Sequence, residues 1–243
     1  MKQLNELIDT KESGWILIKS WLETAKNQFE MLPNNINRAE SELLSIQVTT
    51  RSSMGAMIYE TGGLLIDHGW LRVLGSGSKR LDRGIHEWNI GKTITQQHKQ
   101  PDYLLIADDI LGGYFSINCG GLGESLGDIY YLAPDCLRWE NLEIGYSDFL
   151  NWCLNGDLDQ FYGSLRWNNW KTDIQELTGN QVFSFYPFLW TLEGKNIDEL
   201  SKKAISIEEN FWLLDTIINE IKNRIPNTEI CITLLCFITF SFS

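Results

Sequence analysis

The sequence predicts an α+β fold, in which a mainly antiparallel, twisted sheet is flanked by helices. Five short apolar runs follow one another between residues 64 and 132, separated by Gly, Asp and Asn. Runs of this kind, with no long helical pattern between most of them, are typical of an antiparallel meander. On both sides of this region, apolar residues recur at three- and four-residue steps, as in amphipathic helices. The chain of 243 residues, 43% of them hydrophobic, is long enough to bury a substantial core.

The first half of the chain contains two predicted helices. Residues 14–30 carry apolar side chains on one helical face, from Trp15 to Phe29, and Pro33 follows them. Residues 52–59 form the second predicted helix, which a pair of glycines ends. The predicted strands are the five apolar runs at residues 64–66, 70–74, 103–107, 114–118 and 129–132.

Helical spacing returns after the predicted strands. Residues 146–162 form one predicted helix, with Ser147 and Asp148 available to cap its start. Residues 207–225 form another, which must end before Pro226 because proline lacks the amide that a helix interior needs. The fold is therefore expected to end in a helical extension.

We expect residues 1–227 to form a single domain, because no internal repeat or low-complexity linker interrupts them. Residues 228–243 form an apolar tail, whose last fourteen residues carry no charge. That stretch is shorter than the ~20 apolar residues that cross a bilayer. Two interpretations remain open: a closing strand buried in the sheet, or an aberrant tail that would promote aggregation if exposed.

The charge of the chain argues against nucleic acid as a partner. Twenty basic and 32 acidic residues give a net charge of −12, whereas binding to a phosphate backbone depends on Lys and Arg. Residues 102–176 hold 13 acidic residues and only three basic ones. We expect this stretch to supply an acidic face for a basic protein, although acidic side chains also serve simply to keep a surface solvated. The candidate partner-binding residues are Glu124, Asp128, Asp135, Glu140, Asp157 and Asp159.

The cysteines and the N-terminal residues predict a cytoplasmic protein. Five cysteines are an odd number, and no pair has C-x-x-C spacing, so we expect reduced thiols. Charged residues are scattered through residues 1–27, which therefore lack the continuous apolar core of a signal peptide. Neither a membrane association nor a cofactor is expected, and the oligomeric state is left open.

The sequence offers two candidate catalytic nucleophiles, Ser125 and Cys119. Residues 123–127 match the G-x-S-x-G pattern around Ser125, but a strand is predicted after them where the hydrolase elbow requires a helix. The hydrolase order also requires a histidine downstream, and the sequence has none after His98. Cys119 would need a histidine brought close by the fold. The simpler interpretations are that Ser125 lies in a hairpin loop and that Cys119 is a small buried side chain.

The adjacent carboxylates Asp108 and Asp109 are a candidate pair for binding a metal ion or for acid–base chemistry. Neighbouring positions of a strand point to opposite faces, so the two side chains cannot converge on one ion within a strand. We interpret Asp109, with Gly112 and Gly113, as a structural turn. The three histidines lack zinc-ligand spacing, so no metal site is expected. They are His68, His86 and His98.

A glycine-rich loop and the tryptophans are candidate binding features of the sequence. Residues 75–78 resemble part of a dinucleotide loop, but Arg80 stands where the third glycine belongs, so only weak anion binding by Lys79, Arg80 and Arg83 stays open. The chain has ten tryptophans, which suit core packing and also the anchors of an interface. Those in or near the acidic stretch are Trp139, Trp152, Trp167, Trp170 and Trp190.

Four strings of residues resemble a bacterial family known as domain of unknown function 2625. They are QVTTRSSMG from Gln47, GWLRVLGSG from Gly69, LIADDILGG from Leu105 and YPFLWT from Tyr186. The similarity extends from about residue 4 to about residue 220, and the resemblance implies no established activity.

A shorter and more distant resemblance is to the SUKH superfamily. IADD from Ile106 with the following Gly112-Gly113, IYYLA from Ile129 and SDFL from Ser147 are similar to its order of strand, Asp/Gly turn, strand and helix. This resemblance implies a SUKH-like core. Many members of the superfamily are immunity proteins that bind and neutralise toxins.

These observations favour a non-catalytic, immunity-like module that binds a basic toxin or another protein through its acidic face. One alternative is a hydrolase that uses Ser125 or Cys119. Another is a housekeeping scaffold with no toxin partner.

Overall fold

The computed structural model describes residues 1–96 and 100–224. Its main sheet has seven antiparallel strands, which neighbour one another in chain order. The strands are β1 Phe29–Leu32, β2 Gly63–Ile66, β3 Leu71–Leu74, β4 Tyr103–Asp109, β5 Tyr114–Asn118, β6 Ile129–Leu132 and β7 Trp139–Asn141. A separate hairpin pairs β8 Gln181–Tyr186 with β9 Ser201–Ser206.

Most of the helices lie before β2 or after β7, and one lies between β3 and β4. They are α1 Leu4–Leu7, α2 Trp15–Glu23, α3 Ile36–Ile46, α4 Ser53–Glu60, α5 Ile85–Asn89, α6 Tyr146–Asn155, α7 Leu158–Tyr162, α8 Trp170–Asp173 and α9 Ile207–Arg224. The predicted mixed α and β class with an antiparallel meander is therefore confirmed, and the five predicted strands correspond to β2 to β6. Within the described ranges, no helix is long and apolar enough to span a bilayer.

The helix predicted over residues 14–30 is wrong in its second half. Helix α2 ends at Glu23, and the apolar residues beyond it form β1, where Phe29 pairs with Ile66. The side chain of Asn27 donates to the carbonyls of Cys153 and Gly156, at 2.9 and 3.0 Å. The turn between α2 and β1 is therefore tied to a distant part of the chain, and no local pattern records that contact.

The helix predicted over residues 146–162 is also corrected, because two helices occupy this segment. Helix α6 ends at Asn155, and Asp157 starts α7 by accepting a hydrogen bond from the amide of Gln160 at 2.8 Å. The predicted caps Ser147 and Asp148 lie inside α6, whose N-cap is Gly145. The prediction for residues 207–225 agrees closely with α9, and residues 228–243 lie outside the part of the chain that the structure describes.

Both faces of the main sheet are covered. On one face, Phe115 of β5 stacks on Tyr131 of β6 and packs against Phe149 of α6. On the other face, the hydroxyl of Tyr114 donates to the carbonyl of Ile207, at the start of α9. All residues of β2, β3 and β6 are buried as a result. Antiparallel sheets commonly leave one face to solvent, so this coverage accounts for the apolar character of these strands, which only Arg72 of β3 interrupts.

A buried ion triad links the β8–β9 hairpin, which we call the second layer, to the main sheet. The carboxylate of Asp108 on β4 contacts Arg72 of β3 at 2.5 Å and Arg83 at 2.6 Å, and all three residues are buried. Each guanidinium also reaches the segment around the start of β8: Arg72 donates to the carbonyl of Gln181, and Arg83 to that of Gly179. Burial lowers the pKa of Arg72, and the charge of Asp108 acts against that shift.

Replacing Asp108 by asparagine is expected to destabilise the fold by about 3–5 kcal/mol, because two buried guanidinium groups would lose their anion. Urea unfolding of the Asp108→Asn variant measures this loss. Asp148→Asn, at an exposed position of α6, is the matched control and should change stability by less than about 0.5 kcal/mol. Equal stabilities of the two variants would show that the triad is not required.

Candidate protein-binding face

Asp109 organises the turn between β4 and β5. One carboxylate oxygen accepts the amides of Leu111 and Gly113, at 2.9 and 3.0 Å. The other accepts the hydroxyls of Tyr131 and Tyr162, at 2.7 and 3.2 Å. Burial raises the pKa of Asp109, and the hydrogen bond from Tyr131 acts in the opposite direction. This carboxylate therefore joins the turn to β6 and α7.

The two glycines of this turn are closely surrounded. Gly112 has φ of +82°, and a Cβ there would approach Asn210 to 2.5 Å. A Cβ on Gly113 would approach the hydroxyl of Tyr131 to the same distance. A larger side chain at either position would displace groups that hold the turn.

Asp108 and Asp109 point to opposite faces of the sheet. The first carboxylate meets Arg72 and Arg83, and the second meets Tyr131 of β6 and Tyr162 of α7. They share no site at which one ion could bind both. Within residues 1–96 and 100–224, no group of three or more His, Cys, Asp or Glu residues is placed to bind a metal; His98 lies outside those ranges.

The loop between β5 and β6 is built around the side chain of Asn118. Its amide donates to the carbonyls of Gly123 and Ser125, and its oxygen accepts the amides of Gly120 and Leu122, all at 2.9–3.0 Å. The four bonds hold the loop in one shape. The exposed Glu124 and Leu126 lie in this loop, so they are presented by an ordered scaffold.

Four of the six candidate acidic residues belong to the β6–β7 hairpin and the loop that leads into it. Asp128 accepts a hydrogen bond from the side chain of Asn141 at 3.0 Å, which links the start of β6 to the end of β7. At the opposite end of the hairpin, Glu140 lies 3.7 Å from the Cys136 thiol and Asp135 directly precedes that cysteine. We call the four residues Glu124, Asp128, Asp135 and Glu140 the acidic edge, because they lie in or beside the last two strands of the described sheet, β6 and β7.

Asp157 and Asp159 lie on a different element. Asp157 is the N-cap of α7, and Asp159 contacts Arg166 at 3.2 Å. Arg166 is itself packed between the rings of Trp70 and Trp170, at 4.7 and 4.4 Å from their centroids. These two carboxylates have local structural roles, and the structure does not place them on the acidic edge.

The five tryptophans singled out from the sequence have different environments. Trp167 and Trp170 are buried, and their rings lie against Trp70. Trp190 is only half-buried and stacks on Phe188, with ring centroids 4.3 Å apart. Trp139 and Trp152 are also half-buried against the core. Packing thus explains the first two, while Trp190 is near the surface.

The two candidate nucleophiles, Ser125 and Cys119, lie in or beside the loop between β5 and β6. Ser125 lies in the loop between two strands, and no hydrogen bond links it or Cys119 to His68 or His86, the two histidines that the structure describes. Burial raises the pKa of the Cys119 thiol, and the nearby charge of Asp102 adds to this shift. A thiol with this environment is less available as a thiolate.

The loop at residues 75–78 also lacks a free cradle for an anion. The amides of Ser76 and Gly77 donate to the carbonyls of Thr61 and Gly62, at 3.0 and 3.1 Å. The basic side chains are occupied as well, because Arg83 belongs to the ion triad and Arg80 pairs with Glu30. Lys79 is exposed nearby.

Comparison with known proteins gives one family. The profile of the family described as Protein of unknown function DUF2625 matches residues 4–210. An uncharacterized protein of Haemophilus influenzae is 46% identical over 211 residues, which are 87% of this chain and 92% of that protein. A putative uncharacterized protein of Escherichia coli K12, YbfG, is 46% identical over 209 residues, which are 86% of this chain and 94% of the relative. No solved structure matches.

One buried carboxyl group, Glu42 of α3, was not singled out from the sequence. It accepts the backbone amides of His86 and Glu87, at 2.5 and 3.3 Å, and so caps the start of α5. Burial raises the pKa of Glu42 to about 7, and these two hydrogen bonds act against the shift. The spacing of α3 marks this position as part of a buried face, but only the packing of α5 shows what meets the carboxyl group.

The raised pKa of Glu42 predicts a pH dependence of stability. The folded protein binds the proton of Glu42 more tightly than the unfolded chain does. The contribution of this carboxyl group to the free energy of unfolding is therefore full below about pH 4.5 and is lost as the pH rises through about 7. Glu42→Gln removes the titration and keeps an acceptor oxygen. Relative to the parent, the variant should gain on the order of 2 kcal/mol in unfolding free energy between pH 5 and pH 8.

Urea unfolding at a series of pH values measures this difference. Glu23→Gln, at an exposed position of α2, is the control and should follow the parent at every pH. A constant offset between Glu42→Gln and the parent would contradict the prediction.

Proposed function

The chain belongs to the family described as Protein of unknown function DUF2625, and we propose that it is a cytoplasmic, non-catalytic protein-binding module. In this proposal it acts in the manner of an immunity protein, and the acidic edge binds a basic toxin or another basic protein. The observation that carries the proposal is the concentration of carboxylates between the end of β5 and the start of α6. Residues 119–145 hold five acidic residues and one basic residue, Arg138.

Electrostatics supports this use of the acidic edge. A field of one sign steers a partner of opposite charge and raises the rate of association. The ordered loop around Asn118 holds Glu124 in place, and the β6–β7 hairpin fixes Asp128 and Glu140. Such a preformed surface loses less conformational freedom on binding than a mobile one.

The distant SUKH resemblance supports the same class of function. Its residues lie in β4, the turn ordered by Asp109, β6 and the first half of α6. The expected SUKH-like core is part of this proposal. The absence of a nucleophile–histidine hydrogen bond in the described ranges makes a hydrolase the weaker alternative.

Charge reversal on the acidic edge tests the proposal. The protein is immobilised and used to capture partners from a native bacterial extract, and mass spectrometry identifies them. Association of the purified partner is then measured for a Glu124→Lys, Glu140→Lys variant. We expect at least a tenfold slower association at low salt, with most of the difference lost in 0.5 M salt, because exposed charges are then screened within a few ångströms.

The matched control is Glu23→Lys with Glu60→Lys, which changes the net charge equally at exposed positions of α2 and α4. Its association rate should stay near that of the parent protein. An acidic partner, or equal losses in both variants, would contradict binding at the acidic edge. The scaffold alternative predicts partners without a basic face.

A further inference from the structure

The outer edge of β7 carries main-chain groups that point away from the sheet. Strand β7 pairs with β6 on one side and is the last strand of the described sheet. The amide of Leu142 donates to the carbonyl of Ile129 at 2.9 Å, so this position faces β6. Main-chain groups alternate in direction along an antiparallel strand, and those of Trp139 and Asn141 therefore point away from β6.

These outward-facing groups are free to pair. Beyond the β6–β7 ladder, no hydrogen bond among residues 1–96 and 100–224 uses the main-chain N–H or C=O of Trp139 or Asn141. Both residues are partly exposed, and the flanking Arg138 and Glu143 are exposed. Two donors and two acceptors thus line an edge that another extended segment can reach.

Carboxylates lie on both faces of this edge strand. Glu140 stands between the two outward-facing residues, and its side chain shares the face of Tyr131, its partner on β6. Asn141 belongs to the opposite face, and its side-chain amide donates to Asp128 at 3.0 Å. A strand placed beside β7 would meet a carboxylate on either face, so lysine or arginine at adjacent positions suits it.

The opposite edge of the main sheet, β1, lacks this excess of negative charge. Its one carboxylate, Glu30, pairs with Arg80. The amide of Asp67 donates to the carbonyl of Gln28, so alternation along the β1–β2 ladder leaves the main-chain groups of Met31 facing outward. The two edges thus offer similar main-chain groups and differ in charge, so a basic segment should select β7.

We propose that an extended basic segment of the partner adds to β7 as an eighth strand. The proposal rests on the proposed function for the basic character of the partner, and it adds the way in which the partner is bound. The main chain of the segment exchanges hydrogen bonds with Trp139 and Asn141, and its side chains pair with Glu140 and Asp128. In strand addition, main-chain bonds supply affinity and side chains supply specificity.

Synthetic peptides test this inference without the natural partner. The first probe is acetylated, amidated Thr-Thr-Lys-Lys-Thr-Thr. The second has glutamate in place of both lysines, and the third is the lysine peptide with methyl groups on its central amide nitrogens. NMR titration of the full chain should show at least tenfold weaker binding of the second and third probes, because one lacks the charge and the other cannot pair along its main chain.

Amide hydrogen exchange locates the bound peptide. Saturation with the lysine peptide should slow exchange of the Trp139 and Asn141 amides at least tenfold, because both become hydrogen-bonded. The amide of Met31, on the opposite edge, should keep its rate. Equal protection of Met31 and Trp139 would show that the peptide does not select β7, and it would contradict the proposal.

A pair of variants removes one donor from the edge. Asn141→Pro and Asn141→Ala both lose the side-chain contact with Asp128, and only the proline variant also loses the outward N–H. Proline is tolerated at edge positions whose amide faces solvent. The lysine peptide should bind the proline variant at least fivefold more weakly than the alanine variant. Melting temperatures check that both fold, and the methylated peptide decides the matter if the proline variant does not.

Equal binding of the lysine peptide and either of the other probes would overturn the proposal, as would unchanged exchange at Trp139 and Asn141. Its failure is distinguishable from failure of the proposed function. If charge reversal at Glu124 and Glu140 slows the natural partner while the methylated peptide binds as well as its parent, the proposed function stands and strand addition does not. If the lysine peptide adds to β7 and the reversal leaves the natural partner unaffected, the preference of the edge stands and the proposed function does not.

Discussion

The contact on which the rest of the structure depends is the carboxylate of Asp108 between two arginines. It lies on the face opposite α6 and α7, toward the β8–β9 hairpin and α9, and there it neutralises Arg72 and Arg83 in a buried position. Both guanidiniums also bind carbonyls near the start of β8. A buried charge is tolerated only when it is paired and hydrogen-bonded, so these groups fix where the second layer sits on the sheet.

The neighbouring carboxylate, Asp109, links elements on the other face of the sheet. It accepts hydrogen bonds from the β4–β5 turn, from Tyr131 and from Tyr162, and so connects the sheet to α7. Asn210 then closes the far side of the same turn from α9. One short stretch of β4 and its turn therefore positions elements on both faces of the sheet.

In the proposed function, the acidic edge contributes charge. Exposed charge acts over a distance of about 10 Å at 0.1 M salt and raises the rate of association with a partner of opposite charge. The residues of the acidic edge lie in the loop ordered by Asn118 and in the β6–β7 hairpin, so the main sheet holds them in place.

The sequence by itself determined the mixed class and the meander of β2 to β6, because short apolar runs between turn residues depend on local physics. It also identified the acidic stretch, since the residue types alone give the charge of a segment. Only the tertiary structure decided that residues 29–32 form an edge strand and that Asp157 and Asp159 lie on α7, apart from the acidic edge. The partners of Asp108 and the environment of Glu42 depend on contacts between residues far apart in the chain, which no periodicity encodes.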